Sequence, residues 1–138
     1  MQTPHPPLYI GGNAPRAIRR AVELGDAWYP FFTVAGVSNA TTRTREITGI
    51  DDRAAPIAYM KEYCEKVGRA KPPIVAVGSL ISPGESWTPQ KLVDNAGLMA
   101  ELGVAAAGMH LEGHTVAQFC DNVERFGQDV IAKVGRAN

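Results

Sequence analysis

Pro6-Pro7-Leu8-Tyr9-Ile10-Gly11-Gly12-Asn13-Ala14-Pro15-Arg16 is the stretch on which the reading of the whole chain turns. An apolar run bounded by prolines reads as a buried strand, two glycines turn the backbone, and a helix follows almost at once. Asn13 is a favoured N-cap residue and Pro15 suits a first helical turn. Strand, glycine turn and helix N-terminus together gather unpaired backbone N–H groups around one point, where the helix dipole adds partial positive charge. Arg16 sharpens the expectation: a cation in the first turn opposes the dipole, and a bound phosphate would relieve that conflict. Gly11, Gly12, Asn13, Ala14 and Arg16 are therefore the candidate anion-binding residues. The bland reading of the same residues is that the glycines only turn the chain and the arginine is solvated, since a short glycine motif is unspecific.

Working outward, Ala14, Ala17, Ile18, Ala21 and Val22 recur at helical spacing, and Gly25 is a natural stop. Arg19 and Glu23 lie four apart on the polar side and can pair. Ala27-Trp28-Tyr29-Pro30-Phe31-Phe32 reads as an aromatic second strand that ends or bulges at Pro30. Residues 33–49 form a polar loop, long enough to be functional or mobile. Its Asn39-Ala40-Thr41 matches a glycosylation sequon, which without a secretory signal is read as a chance match.

Asp51 or Asp52 can cap a second helix whose buried face is Ile57, Met60, Cys64 and Val67, with Gly68 ending it. A third strand spans residues 74–81, and Ser82-Pro83-Gly84 turns the chain. Thr88-Pro89 opens a third helix with Leu92, Ala96, Met99 and Leu102 inward and Gly103 at its end. A fourth strand spans residues 104–111. Thr115 and Gln118 have capping-box spacing before a last helix, whose core side reads Val116, Phe119, Cys120, Val123, Phe126, Val130 and Val134.

The order is strand then helix, four times, which predicts an α/β domain with a parallel sheet and right-handed crossovers. Four such units are half of a (β/α)8 barrel, which needs about 250 residues. The 138 residues thus make one domain, either a half barrel or a small open doubly wound sheet. The zero formal net charge recommends neither nucleic acid nor an anionic membrane as partner. No apolar stretch has transmembrane length and the N-terminus lacks the features of a signal peptide, so a cytoplasmic protein is expected. In that compartment Cys64 and Cys120 are expected to be reduced core thiols.

Pro7-Leu8-Tyr9-Ile10-Gly11-Gly12-Asn13, Ala17-Ile18-Arg19-Arg20-Ala21 and Gly25-Asp26-Ala27-Trp28-Tyr29-Pro30 resemble a signature of the bacterial luciferase-like monooxygenase family. The likeness is greatest to the branch that uses the deazaflavin coenzyme F-420 rather than FMN. Gly103-Val104 and Phe126-Gly127-Gln128-Asp129-Val130-Ile131 are similar to that family's C-terminal portion. The resemblance implies a (β/α)8 barrel of which this chain supplies strands five to eight. It also implies a cofactor phosphate near the turn after a strand of this half, which carries over onto Gly11, Gly12, Asn13 and Ala14; Arg16 is added on the dipole argument alone. The implied activity is that of a flavin- or deazaflavin-dependent oxidoreductase passing a hydride to or from a small organic substrate. The half absent here carries most ring-side and substrate-side residues of that family, so no catalytic residue is assigned.

A solitary half barrel leaves two open sheet edges and an apolar inner face, which favours a homodimer or pairing with other chain segments. A non-catalytic half-barrel binding module or truncated product that dimerises is the alternative reading, and an unrelated nucleotide-binding α/β domain a third. His110-Leu111-Glu112-Gly113-His114 places three possible metal ligands at alternate positions, but without a clear fourth ligand no metal is assigned. Asp26 reads as a hydrogen-bond acceptor at a helix–strand junction rather than a catalytic carboxylate. Trp28, Tyr29, Phe31 and Phe32 could stack on a ring, although at least two of them are expected to be buried.

Overall fold

The computed structural model describes residues 5–33 and 44–135. Strands β1 (Tyr9–Gly11), β2 (Ala27–Tyr29), β3 (Ile74–Val77) and β4 (Val104–Ala107) form one sheet in the order β1-β2-β3-β4. Every neighbouring pair is parallel. Each strand is followed by its helix: α1 (Pro15–Leu24), α2 (Ala54–Val67), α3 (Pro89–Leu102) and α4 (Val116–Phe126). A right-handed crossover always advancing in one direction puts every helix on the same face. A doubly wound sheet needs a reversal of strand order. The sequential order therefore makes this sheet a half β/α barrel and removes the doubly wound alternative.

The register shows what the helix-facing side is made of. Ile10, Trp28 and Val75 lie side by side across β1, β2 and β3. Trp28 and Val75 pack with Ile18, Ala21 and Val22 of α1 and with Ile57, Met60 and Cys64 of α2. A second cluster joins Val77 and Leu80 to Leu92 and Met99 of α3 and to Val130. Side chains alternate along a strand, so Tyr9, Gly11, Ala27, Tyr29 and Ile74 belong to the other, concave face. That face is open: Tyr9 is 53% exposed and Ile74 44%. The Tyr9 and Tyr29 rings meet edge-on there, 6.5 Å apart.

Three strands are shorter than their apolar runs. Pro30 has no N–H to continue β2. Past Val77, the Gly78 backbone lies under the Tyr29 hydroxyl, where an added Cβ would be only 2.5 Å from the oxygen. The Leu80 carbonyl accepts from the Asn95 side chain at 2.8 Å instead of from a ladder. A β-bulge between Val75 and Ala76 already loosens β3 from β4, and β4 ends at Ala107.

Thr88 and Thr115 cap their helices, accepting from the N–H groups of Lys91 and Gln118. Gln118 reaches back to the His114 N–H at 3.0 Å, completing a box one residue before the cap. Gly68 and Gly103 end α2 and α3 at φ 73° and 93°. Asp52 does not cap α2. It sits in a 3₁₀ turn (Asp51–Arg53) and accepts from Thr48 N, Thr48 Oγ1 and Gly49 N at 2.8, 2.9 and 3.0 Å. Arg19 and Glu23 do not pair with each other either. Arg19 Nη1 donates to the Tyr59 hydroxyl, and the Tyr63 hydroxyl donates to Glu23, so both tie α1 to α2.

The last helix departs most from its sequence pattern. Val116 is 81% exposed, and Phe119, Cys120 and Val123 are exposed with it. Only beyond α4, in a π-helical turn (Gly127–Ile131), does Val130 become buried, with Phe126 and Val134 packed partly against it. Val67 at the end of α2 is exposed as well. Among the described residues, no helix is long and apolar enough to cross a membrane.

Candidate functional site

The opening turn follows β1 and thus stands at the C-terminal rim of the sheet, the end where β/α barrels build their sites. Its parts do different work. Gly12 has φ 120°, and a Cβ there would lie 2.8 Å from the Ala17 Cβ. Its carbonyl accepts from Trp28 Nε1 at 2.8 Å and its N–H donates to Tyr29 O at 3.4 Å. Gly12 is therefore a glycine because of the fold. Gly11 is not: it is exposed, and an added Cβ would meet only Tyr29 O, at an ordinary 3.9 Å. Packing leaves room above Gly11 for something to approach the backbone.

Asn13 is buried and is not the N-cap. Ala14 takes that position, without a side-chain cap. The Asn13 amide instead donates to Phe31 O at 2.9 Å and Arg45 O at 3.1 Å, and accepts from Phe31 N at 3.1 Å. Its own N–H donates to Thr44 Oγ1 at 3.3 Å. A buried amide must satisfy its donors and acceptor, and the flanking loop backbone offers more partners than the helix start does. Within α1 the N–H groups of Ala17 and Ile18 both turn onto Ala14 O. Pro15 has no N–H, so the backbone donors of Ala14 and Arg16 are the ones without a partner among the described residues. All five candidate residues cluster at this corner; Gly11 and Arg16 are exposed and Ala14 half-buried, whereas the N–H groups of Gly12 and Asn13 are engaged.

The same rim carries a cleft of about 340 Å³ beyond β2, β3 and β4, with Tyr29, Phe31, Ser79, Glu85, His110 and Glu112 in its wall. Glu85 is fixed by Ser82 N at 3.0 Å and Lys91 at 3.2 Å, and these bonds hold its carboxyl below the usual range. Ser82 Oγ donates to Thr48 O at 2.9 Å. The side chains of Tyr29, His110 and Glu112 have no hydrogen-bond partner among the described residues, so they remain available to a ligand. Phe31 connects the two parts of the rim: Asn13 holds its backbone and its side chain lines the cleft.

Of the aromatic run, Trp28 is fully buried and Phe32 half-buried, while Tyr29 and Phe31 reach the cleft. Asp26 lies at the opposite rim, where its carboxylate accepts from Leu8 N at 2.8 Å; it is a junction residue. His110 and Glu112 border the cleft, and with His114 they also line a shallow depression beside Val116 and Phe119; His114 and Glu112 border a further one with Gln118, Asp121 and Asn122. Among the described residues, no three His, Cys, Asp or Glu side chains converge on a metal-sized point. Cys64 is a core thiol whose pKa burial raises. Cys120 is exposed, contrary to its apolar-face pattern, because none of the described residues covers that side of α4. The sequon at residues 39–41 lies outside the described residues.

Arg53 is the residue the pattern does not reveal. An arginine beside two aspartates at a helix start reads as solvated, yet this one is fully buried with its guanidinium 3.8 Å from the centre of the Phe32 ring. Nη1 donates to Gly49 O at 3.0 Å, whereas Nε and Nη2 find no hydrogen-bond partner among the described residues. Burial pushes its pKa down to about 10. Nothing in the local sequence signals this placement, which depends on Phe32 arriving from the segment that follows β2. No family model, no curated protein and no solved structure matches this chain.

Proposed function

We propose that this chain binds the phosphate of a flavin or deazaflavin cofactor at the corner formed by Gly11, Gly12, Asn13, Ala14 and Arg16, as part of a luciferase-like oxidoreductase. One observation carries the reading: Gly11, for which packing gives no reason, stands beside the open N–H groups of Ala14 and Arg16 on the rim that also holds the cleft. The Ala14 and Arg16 donors and the exposed Arg16 guanidinium suit a phosphate. Gly11 lets it approach the backbone, and Gly12 and Asn13 hold the corner in shape. Tyr29 and Phe31 supply aromatic surface near the corner, and Tyr29, His110 and Glu112 supply the polar groups that would meet a small organic substrate. The bound ring would supply the hydride chemistry; the chain's task is to bind, orient and exclude water.

The test is fluorescence titration with FMN and with the deazaflavin coenzyme. The wild-type chain should bind one of them. Arg16→Glu should weaken binding by roughly ten- to hundredfold, the worth of a hydrogen bond to a charged group. Ala14→Pro should do the same by removing the Ala14 N–H, since Ala14 has φ −75°, which proline already prefers; an unchanged circular dichroism spectrum is the control for the restriction it places on the Asn13 backbone. Gly12→Val is a poor probe, since it collides with Ala17 whatever is bound. Binding indifferent to Arg16→Glu and Ala14→Pro, or no binding at all, would remove the proposal. The second reading, a non-catalytic half barrel, draws support from the uncovered concave face around Tyr9 and Ile74; dimerisation without cofactor binding would favour it.

A further inference from the structure

Of the four helices that follow the strands, α4 alone buries none of its own residues. Its apolar side chains nevertheless recur at helical spacing, with Val116, Phe119 and Val123 exposed at 81%, 47% and 44%. The winding of the sheet explains this. Each crossover helix rests over the strand it follows and the next one, as α1 does on β1 and β2. α4 follows β4, and among the described residues no strand lies beyond β4. The alanines of β4, Ala105, Ala106 and Ala107, are exposed in consequence.

The other end of the sheet presents the matching half. The outer edge of β1 is unpaired among the described residues. The flank of α1 turned away from α2 carries Ala17, Arg20 and Leu24 at three- and four-residue spacing, and Leu24 is 67% exposed. What the β4 edge lacks is a parallel strand followed by a helix, and the β1 edge offers one.

We infer that the occupant of both edges is a second copy of this chain, with β4 of each copy pairing in parallel with β1 of the other to close an eight-stranded barrel. A two-fold axis satisfies both joints at once, as an isologous interface requires. Closure leaves no exposed edge and covers a parallel sheet on both faces, its usual condition. Eight is also a strand number at which a barrel interior is filled by side chains. The helices that meet across each joint carry a surplus of opposite charge: α1 exposes Arg16 and Arg20 against Glu23, and α4 exposes Asp121 and Glu124 against Arg125. Because the strands are parallel, the partner's opening turn comes to stand beside the His110 and Glu112 end of β4. The second copy thereby walls the open side of the cleft. The inference rests on strand order and exposed faces, not on the cofactor reading, so failure of either leaves the other standing.

Sedimentation of the full chain across a wide concentration range should show a dimer. Val123→Arg and Leu24→Arg lie on the two sides of the joint and alter side chains already exposed in the single chain. Each should raise the dimer Kd by at least about thirtyfold, the loss expected at a central contact, with circular dichroism unchanged. Cys120, exposed on the same helix, should react slowly with a maleimide in the dimer and fast in both variants or on dilution. A wild-type monomer at every concentration overturns the inference, as does a dimer that tolerates both variants. If a variant fails to fold, wild-type Cys120 decides: reactivity that is independent of protein concentration across the dimerisation range overturns it.

Discussion

Asn13 grips the backbone of Phe31 from both sides: its Nδ2 donates to Phe31 O at 2.9 Å, and Phe31 N–H donates back to its Oδ1 at 3.1 Å. Its second amide proton goes to Arg45 O at 3.1 Å. The turn after β1, the end of β2 and the far end of the long loop are therefore held by one buried side chain. Corner and cleft consequently share a rigid element, and a shift in one moves the other.

Asn13→Ala should cost about 2–3 kcal/mol in urea denaturation, because it strands Phe31 N–H and two carbonyls in a buried place. Asn13→Asp should be worse at neutral pH, since a carboxylate would face the carbonyls of Phe31 and Arg45. That penalty should shrink on acidification, when the acid can donate again. An Asn13→Asp protein as stable as wild type at pH 7 would contradict the assigned amide orientation.

Most of the architecture is legible in the sequence because its punctuation is local. Thr88-Pro89, Thr115 with Gln118, and the stops at Gly68 and Gly103 depend on residues within one turn of each other, and the structure has them all. Asp26 is placed correctly although its partner Leu8 lies 18 residues away, because the junction itself is marked locally by the helix stop at Gly25. The failures are long-range. Asn13 has the chemistry of a cap, but only the fold brings Phe31 and Arg45 within its reach. The face of α4 has a core pattern, but a pattern cannot say whether its complement lies in the same chain. The burial of Arg53 under Phe32 needs contact between segments on either side of the long loop, and no spacing rule encodes that.

The two adjacent glycines should separate in experiment. Gly11→Ala should raise stability by roughly 0.5–1 kcal/mol, because it restricts the unfolded chain and meets nothing closer than 3.9 Å. Gly12→Ala should lower it by about 1–3 kcal/mol, since φ 120° strains any side chain and the Cβ of Ala17 stands 2.8 Å away. If the corner takes a phosphate, Gly11→Ala weakens that binding despite the gain in stability. Thermal melts of both variants, each followed by the same cofactor titration, check the pair.

Asp52 predicts how the fold responds to acid. Hydrogen bonds from Thr48 N first, then Thr48 Oγ1 and Gly49 N, lower its pKa below 3.8. A carboxyl depressed in the folded state contributes stability above the unfolded value, and that contribution is lost as pH falls through the folded one. Asp52→Ala should therefore cost about 1 kcal/mol at pH 7, comparable to the loss of a helix cap. The gap between variant and wild type should close on titration below pH 3.8. A gap that persists unchanged to pH 2 would mean that the side chain acts through packing instead.

Arg53 tests whether a buried, half-satisfied cation stabilises this fold at all. Its guanidinium stacks on Phe32 and makes one hydrogen bond, to Gly49 O, while Nε and Nη2 are left without one among the described residues. Desolvation is the largest influence on its pKa, so the charged form is disfavoured in the folded protein. Arg53→Met keeps the volume and removes the charge; replacements of this kind are neutral or stabilising by about 1–2 kcal/mol. Arg53→Ala leaves a cavity against Phe32 and should instead destabilise by about 1–3 kcal/mol. The pH dependence has a definite sign. A base whose pKa is depressed on folding penalises the folded state fully below that value, and the penalty is relieved as pH rises through it toward the unfolded value. The advantage of Arg53→Met over wild type should therefore stay constant up to pH about 10 and shrink above it. Comparing the two proteins cancels the tyrosines and lysines that titrate in the same range. An Arg53→Met protein that is markedly less stable than wild type at pH 7 would show that the guanidinium's bonds outweigh its desolvation, and that its unpartnered nitrogens are satisfied in solution.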